Sequence, residues 1–225
     1  RIFEGKSNRH NCEYRALNKY GKYVWVRCQG IVERNADGSL GLFVGTMMNL
    51  GVNAKFDQPT GLYTFHELKK QLPSFISHGM EGAVLLFDVD RLQRINDILG
   101  YLVGDEVLQR LGQKCQSMEG VISYRGPGGK FYCITTEKSE SALDRIYREV
   151  QRFSEEVPRE MNLEIQLTIS CGVAFFPQDA EDFETLHANV EYALEQAKKV
   201  GRGSIAQFSG QMHRKTVEKF RLQEV

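Results

Sequence analysis

The chain has 225 residues, 41% of them hydrophobic, enough to bury a full core in one or two domains. Lys plus Arg and Asp plus Glu balance at 29 each, which excludes a bulk field that would draw the chain to nucleic acid or to an anionic membrane. Five cysteines (12, 28, 115, 133 and 171), odd in number and without a CxxC spacing, fit free thiols in a reducing cytoplasm rather than a disulfide frame or a zinc site.

Residues 1–50 read as strands. Cys12 to Leu17 and Tyr23 to Cys28 flank Lys19-Tyr20-Gly21-Lys22, a turn with a glycine available for positive φ. Ile31 to Arg34 and Leu40 to Thr46 flank a second turn, Asn35-Ala36-Asp37-Gly38. The predicted piece is a three- or four-stranded antiparallel sheet. After a short link, Asp57 or Thr60 is placed to cap a helix from Phe65 to Leu72 that stops before Pro73.

Ala83 to Phe87 has the length and flanks of a buried strand, and it ends in Asp88 and Asp90. The two acids share one face if the strand stays regular through Val89. A single helix is predicted from Leu92, with Ile95, Leu99, Val103, Val107, Leu108 and Leu111 on one face. A carboxylate at a strand end followed by a helix suits a metal ion with nucleotide phosphates; solvated acids that simply end a strand are the plainer reading. Gly120 to Arg125 and Lys130 to Thr135 form a hairpin across a glycine-rich turn, Gly126-Pro127-Gly128-Gly129. Gly128-Gly129-Lys130 is not a P-loop, because Tyr124 stands where its first glycine belongs and Phe131 where Ser or Thr belongs.

A helix from Ala142 to Phe153, a long strand from Leu163 to Phe176, a helix from Phe183 to Val200 and a strand from Ser204 to Phe208 complete the pattern. The order β-α-β-β-α-β-α-β predicts an α/β (α+β) sheet with helices packed on it, close to the split βαβ palm. Residues 209–225 form a charged amphipathic helix. No apolar run approaches the roughly 18 residues of a membrane span, and no signal peptide is visible. Starting at Arg1 and ending at Val225 inside a helical pattern, the chain reads as an excised piece of a longer protein.

The run FDVDRLQRINDILGYLVGDEVL resembles the GGDEF (diguanylate cyclase) domain family, whose pattern is roughly DxDxFKxINDxxGHxxGDxxL. Three further stretches match in the family's order: Asp57-Gln58-Pro59-Thr60-Gly61-Leu62, Ser170-Cys171-Gly172-Val173-Ala174, and Tyr192-Ala193-Leu194 through Ala197-Lys198-Lys199-Val200-Gly201-Arg202. The resemblance covers residues 55–208 and implies a nucleotidyl-cyclase palm-like sheet. Residues 1–50 are similar to the last strands of a PAS domain, with a packing or dimerisation appendage as the alternative. Residues 209–225 resemble the connector to an EAL (cyclic di-GMP phosphodiesterase) domain, with an ordinary terminal helix as the alternative.

The resemblance implies a chemistry in which two domains face each other, each holding GTP, with magnesium neutralising phosphate charge. It assigns the metal to Asp88 and the Val89 carbonyl, the guanine edge to Asn96 and Asp105, and the terminal phosphates to Lys198 and Arg202. The plain alternatives are a helix-surface pair at Asn96-Asp97, a helix kink with a solvated acid at Gly104-Asp105, and a helix C-terminus complementing its dipole at Lys198 and Arg202. The family signature RxGGDEF falls on Arg125-Gly126-Pro127-Gly128-Gly129-Lys130-Phe131, so its two acids become Gly129 and Lys130. Losing a metal ligand beside a gained cation weakens Mg²⁺ binding, and no catalytic residue is assigned in the loop Pro127, Gly128, Gly129, Lys130. Lys130 is a candidate to stand in for the metal by pairing with Asp88 or touching phosphate. Met118 and Val121 occupy the family's RxxD product site, so no product inhibition is expected there.

The expected function is a degenerate GGDEF domain that regulates rather than catalyses, senses GTP, and controls an EAL phosphodiesterase on the same parent chain. The alternatives are a cyclase with residual activity, converting two GTP to cyclic di-GMP, and a module that only dimerises with itself or docks.

Overall fold

The computed structural model describes residues 8–17, 23–35, 37–49 and 55–210. The chain divides into two compact units, one up to residue 54 and one from residue 55.

The first unit is an antiparallel meander of β1 (Arg9–Leu17), β2 (Tyr23–Arg34) and β3 (Leu40–Asn49), in that order. The two strands expected on either side of Cys28 and Ile31 are one, because β2 pairs continuously with β1 from Arg9↔Ile31 to Leu17↔Tyr23. Val26 and Val32 lie buried on one face of β2. On the other face Glu13 stands opposite Arg27, whose Nε and Nη2 donate to Glu13 Oε1 at 2.9 and 2.6 Å. Gly38 takes φ +80° in the turn to β3. The expected turn at Lys19–Lys22 and the expected helix at 209–225 lie outside the described residues, save for its first two.

The second unit is a six-stranded sheet in the order β4-β6-β7-β5-β8-β9. Its strands are β4 (Tyr63–Thr64), β5 (Gly82–Val89), β6 (Ile122–Arg125), β7 (Lys130–Thr135), β8 (Ile169–Phe176) and β9 (Ile205–Gln207). The helices are α1 (Phe65–Ser77), α2 (Leu92–Leu99), α3 (Tyr101–Gln116), α4 (Glu140–Glu160) and α5 (Phe183–Val200). Central β5 runs antiparallel to both β7 and β8. Ala83, Leu85, Phe87 and Val89 face a core completed by α2, α3 and α4. Val84 and Leu86 face a second core completed by α1 and α5. Covered on both sides, β5 buries every apolar side chain, which is why its sequence is an unbroken apolar run.

Five features differ from the sequence expectation, one being that α4, expected from Ala142 to Phe153, runs from Glu140 to Glu160. The helix expected to run on from Leu92 is two, α2 and α3, interrupted at Gly100, which has φ +87°. Helix α1 continues through Pro73 to Ser77. Pro73 and Lys69 are exposed, so the carbonyl that loses its bond can turn to water while Leu68 and Leu72 hold the inner face. Asp57 and Thr60 do not cap α1. Its N-cap is Thr64, whose side chain makes no capping bond, while Asp57 Oδ2 accepts from Thr60 N (3.1 Å) and Oγ1 (2.7 Å) in a local turn. The strand expected from Leu163 begins only at Ile169, because its partner β5 ends there: the last register pair is Val89↔Ile169.

Helix α5 lies hard against β8. A Cβ on Gly172 would stand 2.4 Å from both Leu194 N and Val190 O, so only glycine lets the helix backbone approach this closely. Gly172→Val is expected to cost at least about 3 kcal/mol of stability in urea denaturation, since neither backbone can yield. A variant within about 0.5 kcal/mol of the parent would show that α5 is seated elsewhere.

Candidate functional site

The end of β5, the β6–β7 turn and the C-terminal half of α5 converge at one end of the sheet. Strand register sets Asp88 directly opposite Lys130 on β7 and Ser170 on β8. Asp88 and Asp90 both reach toward the C-terminal end of α5, as a regular strand requires.

They do so with different partners. Asp90 is buried and fully bonded: it accepts from Thr168 Oγ1 at 2.9 Å, from Ser170 Oγ at 2.9 and 3.0 Å, and from Gly203 N at 3.1 Å. That acid ties the loop after α5 to the strand end. Asp88 forms an ion pair with Lys198 of α5, with side-chain exposures of 16% and 32%. Lys130 does not pair with Asp88, the first of the two roles expected of it. Its ammonium turns to Glu191 of α5, at 2.7 and 2.6 Å from the two carboxylate oxygens. Opposed charges on neighbouring strands thus each choose the helix above them rather than one another.

Glu191 also accepts from Tyr132 Oη at 3.2 Å, and the same hydroxyl lies 2.9 Å from His187 Nε2. The imidazole stacks on Tyr132 and Phe183 and leans on Phe65, so it packs, as its place beside an apolar helix face predicts. Burial lowers its pKa, the Glu191 carboxylate opposing that and Lys130 reinforcing it. Burial also raises the Tyr132 phenol.

The turn between β6 and β7 is held from below by Arg125. Its Nη1 donates to the carbonyls of Gly126 (2.5 Å) and Lys130 (2.6 Å), its Nη2 donates to that of Gly128, and the guanidinium lies 4.6 Å over the Phe131 ring. Burial depresses the Arg125 pKa, while Asp57, Asp88 and Asp105 act in the opposite sense. Val89 is buried on the opposite face, and its N–H donates to Gly129 O at 3.1 Å, fixing the turn to the strand end. A Cβ at Gly129 would stand 2.8 Å from Asp88 Oδ1, so a side chain there displaces the Asp88 carboxylate.

Of the guanine-side residues, Asn96 sits on α2 with its Oδ1 buried and accepting no hydrogen bond among the described residues. Gly104 of α3 leaves room for it: a Cβ there would lie 1.9 Å from that oxygen. Asp105, the next residue, is half-buried. Arg202 is exposed in the loop beyond α5. The structure therefore joins Asp88 to Lys198, sets Asn96 against the residue before Asp105, and leaves Arg202 at the rim. Met118 and Val121 pack against the α3–α4 core.

The donor set does not fit a resident Mg²⁺ ion, which wants several oxygens in octahedral array. Asp88 is matched by an ammonium, Asp90 is saturated, and Gly129 has no side chain. Among the described residues no group of three or more His, Cys, Asp or Glu side chains is placed to hold a metal.

Glu191 and Tyr132 were not singled out from the sequence. Glu191 precedes Lys198 by two helical turns and follows His187 by one, so all three share a face that is otherwise apolar. That lone acid in an inward stripe is the signal that would have found it.

A fold of this kind, with this strand end and turn, defines a class. A family model described as "Diguanylate cyclase, GGDEF domain" matches residues 54–204, and the chain belongs to that family. It is 29% identical over 180 residues to the cyclic di-GMP phosphodiesterase NbdA of Pseudomonas aeruginosa, covering 76% of this chain and 23% of that protein. It is 25% identical over 159 residues to the diguanylate cyclase VdcA of Vibrio cholerae, covering 68% of this chain and 47% of that protein. The chain thus spans less than half the length of either relative. The solved GGDEF domain of Pseudomonas aeruginosa TpbB (YfiN) aligns with a TM-score of 0.60 at 23% identity, covering 68% of this chain and 94% of that chain. No helix among the described residues is long and apolar enough to cross a membrane.

Two outcomes test this geometry. Arg125→Ala is expected to cost about 3 kcal/mol, because three carbonyls lose a charged donor. Arg125→Lys should recover little of it, since an ammonium cannot reproduce the fork; full recovery in denaturant titrations would refute the clamp. His187 gives a pH signature. Its folded pKa is lowered from 6.5, so the unfolded chain takes up the proton first. Its contribution is complete above that value and declines as pH falls through it toward the folded pKa. His187→Gln should flatten this decline between about pH 7 and 5 in urea midpoints; an unchanged slope would remove His187 as its source.

Proposed function

We propose that this chain is a degenerate GGDEF domain that regulates rather than catalyses within cyclic di-GMP signalling. In this reading it responds to GTP and controls an EAL phosphodiesterase domain of the same parent chain. The observation that carries it is the pairing at the strand end: Asp88 with Lys198 and Lys130 with Glu191. Phosphoryl transfer between two nucleotides relies on metal ions to neutralise charge. In this chain the two acids of the family signature are replaced by Gly129 and by a cation, Lys130. The family's roles for Asn96 and Asp105 toward guanine, and for Arg202 and Lys198 toward phosphate, carry over to side chains of the same type.

The names of the relatives support the signalling context from both sides, one being a cyclase and the other a phosphodiesterase. A second reading, a domain that only docks or dimerises, is favoured by one feature: Lys198, the inner of the two phosphate-side cations, is already paired with Asp88.

Incubation with GTP and Mg²⁺, read by chromatography, should yield no cyclic di-GMP; product above a no-protein control would overturn the non-catalytic reading. Calorimetric titration should show micromolar binding of GTP over ATP, lost in Asn96→Ala. No binding of either nucleotide would replace the sensing role with the docking one.

A further inference from the structure

We infer that Lys198 is the standing counter-cation of Asp88, and that two ion pairs, Asp88–Lys198 and Lys130–Glu191, fasten α5 to the sheet end with no divalent metal. This inference goes beyond the proposed function and describes the domain with no nucleotide bound.

Three observations converge on it. The pairs are crossed: β5 contributes an acid and β7 a base, and α5 answers each with the opposite charge, two turns apart. All four side chains are between 16% and 32% exposed, so water screens them only in part. Finally, the charges around Asp88 are already matched: Lys198 touches it, and Lys130, opposite it in the strand register, is held by Glu191. A divalent ion approaching that carboxylate would have to displace the Lys198 ammonium, while the neighbouring acids are committed, Asp90 to its hydrogen bonds and Glu191 to Lys130. The seam is already tight, since α5 meets β8 backbone to backbone at Gly172, so the lysines close the gap between helix and strand end.

The test is a double-mutant cycle with a metal control, followed by thermal unfolding. Asp88→Asn and Lys198→Met are each expected to lower Tm by about 3–6 °C, because each leaves a partly buried charge unpaired. The double variant should lie within about 1 °C of the worse single one. Additive losses would overturn the pairing. Millimolar Mg²⁺ should leave the parent's Tm unchanged; a rise reversed by chelation would overturn the metal-free seam. If a variant does not fold, the parent alone decides. Mn²⁺ as a paramagnetic probe should leave the amide signals of Val89 and Gly129 sharp, and selective broadening there would refute the inference.

Discussion

The central strand is covered on both faces, so where its apolar run gives way to carboxylates each charge must be matched inside the fold. Burying an unmatched carboxylate costs more than the domain could spare. The structure meets this demand with hydrogen bonds at Asp90 and with an ammonium at Asp88. Both solutions draw on the C-terminal end of α5 and the loop after it, so the helix is placed by the acids as much as by its apolar stripe. Gly172 then sets how close it can come.

The turn that carries the family signature follows from the same need. Its glycines and proline offer no side chain to hold it, so its shape comes from backbone carbonyls gathered on Arg125 and from the Val89–Gly129 bond. Asp57, Asp88 and Asp105, from separate segments, favour the charged form of that guanidinium against its burial. A local sequence that looks loose is rigid in context.

Much of the architecture was legible from periodicity. The buried strand, the hairpin at Arg125 to Lys130 and the span of α5 are all where the apolar pattern puts them. Two of the misplaced boundaries depend on something outside the segment. Leu163 to Thr168 alternates like a strand but has no neighbour once β5 has ended. Pro73 would end an isolated helix, yet an exposed backbone site tolerates it while Leu68 and Leu72 are held by the core. At the site, the residue types were visible but their partners were not. Lys130 and Asp88 do stand opposite each other, and only the presence of α5 above them sends each charge to another partner.

The sequence by itself determined the family, through four ordered motifs, and most of the order of strands and helices, through where the apolar runs start and stop, though not β4 or the split between α2 and α3. It also determined that an acid is absent at Gly129 and a cation present at Lys130. Tertiary structure alone decided what those charges do. Strand register and helix packing bring together groups 61 and 110 residues apart in the chain. At such separations the attraction depends on distance and on excluded water, and neither is written in the local sequence. Lys198, which the motif alone would aim at phosphate, is instead turned to Asp88.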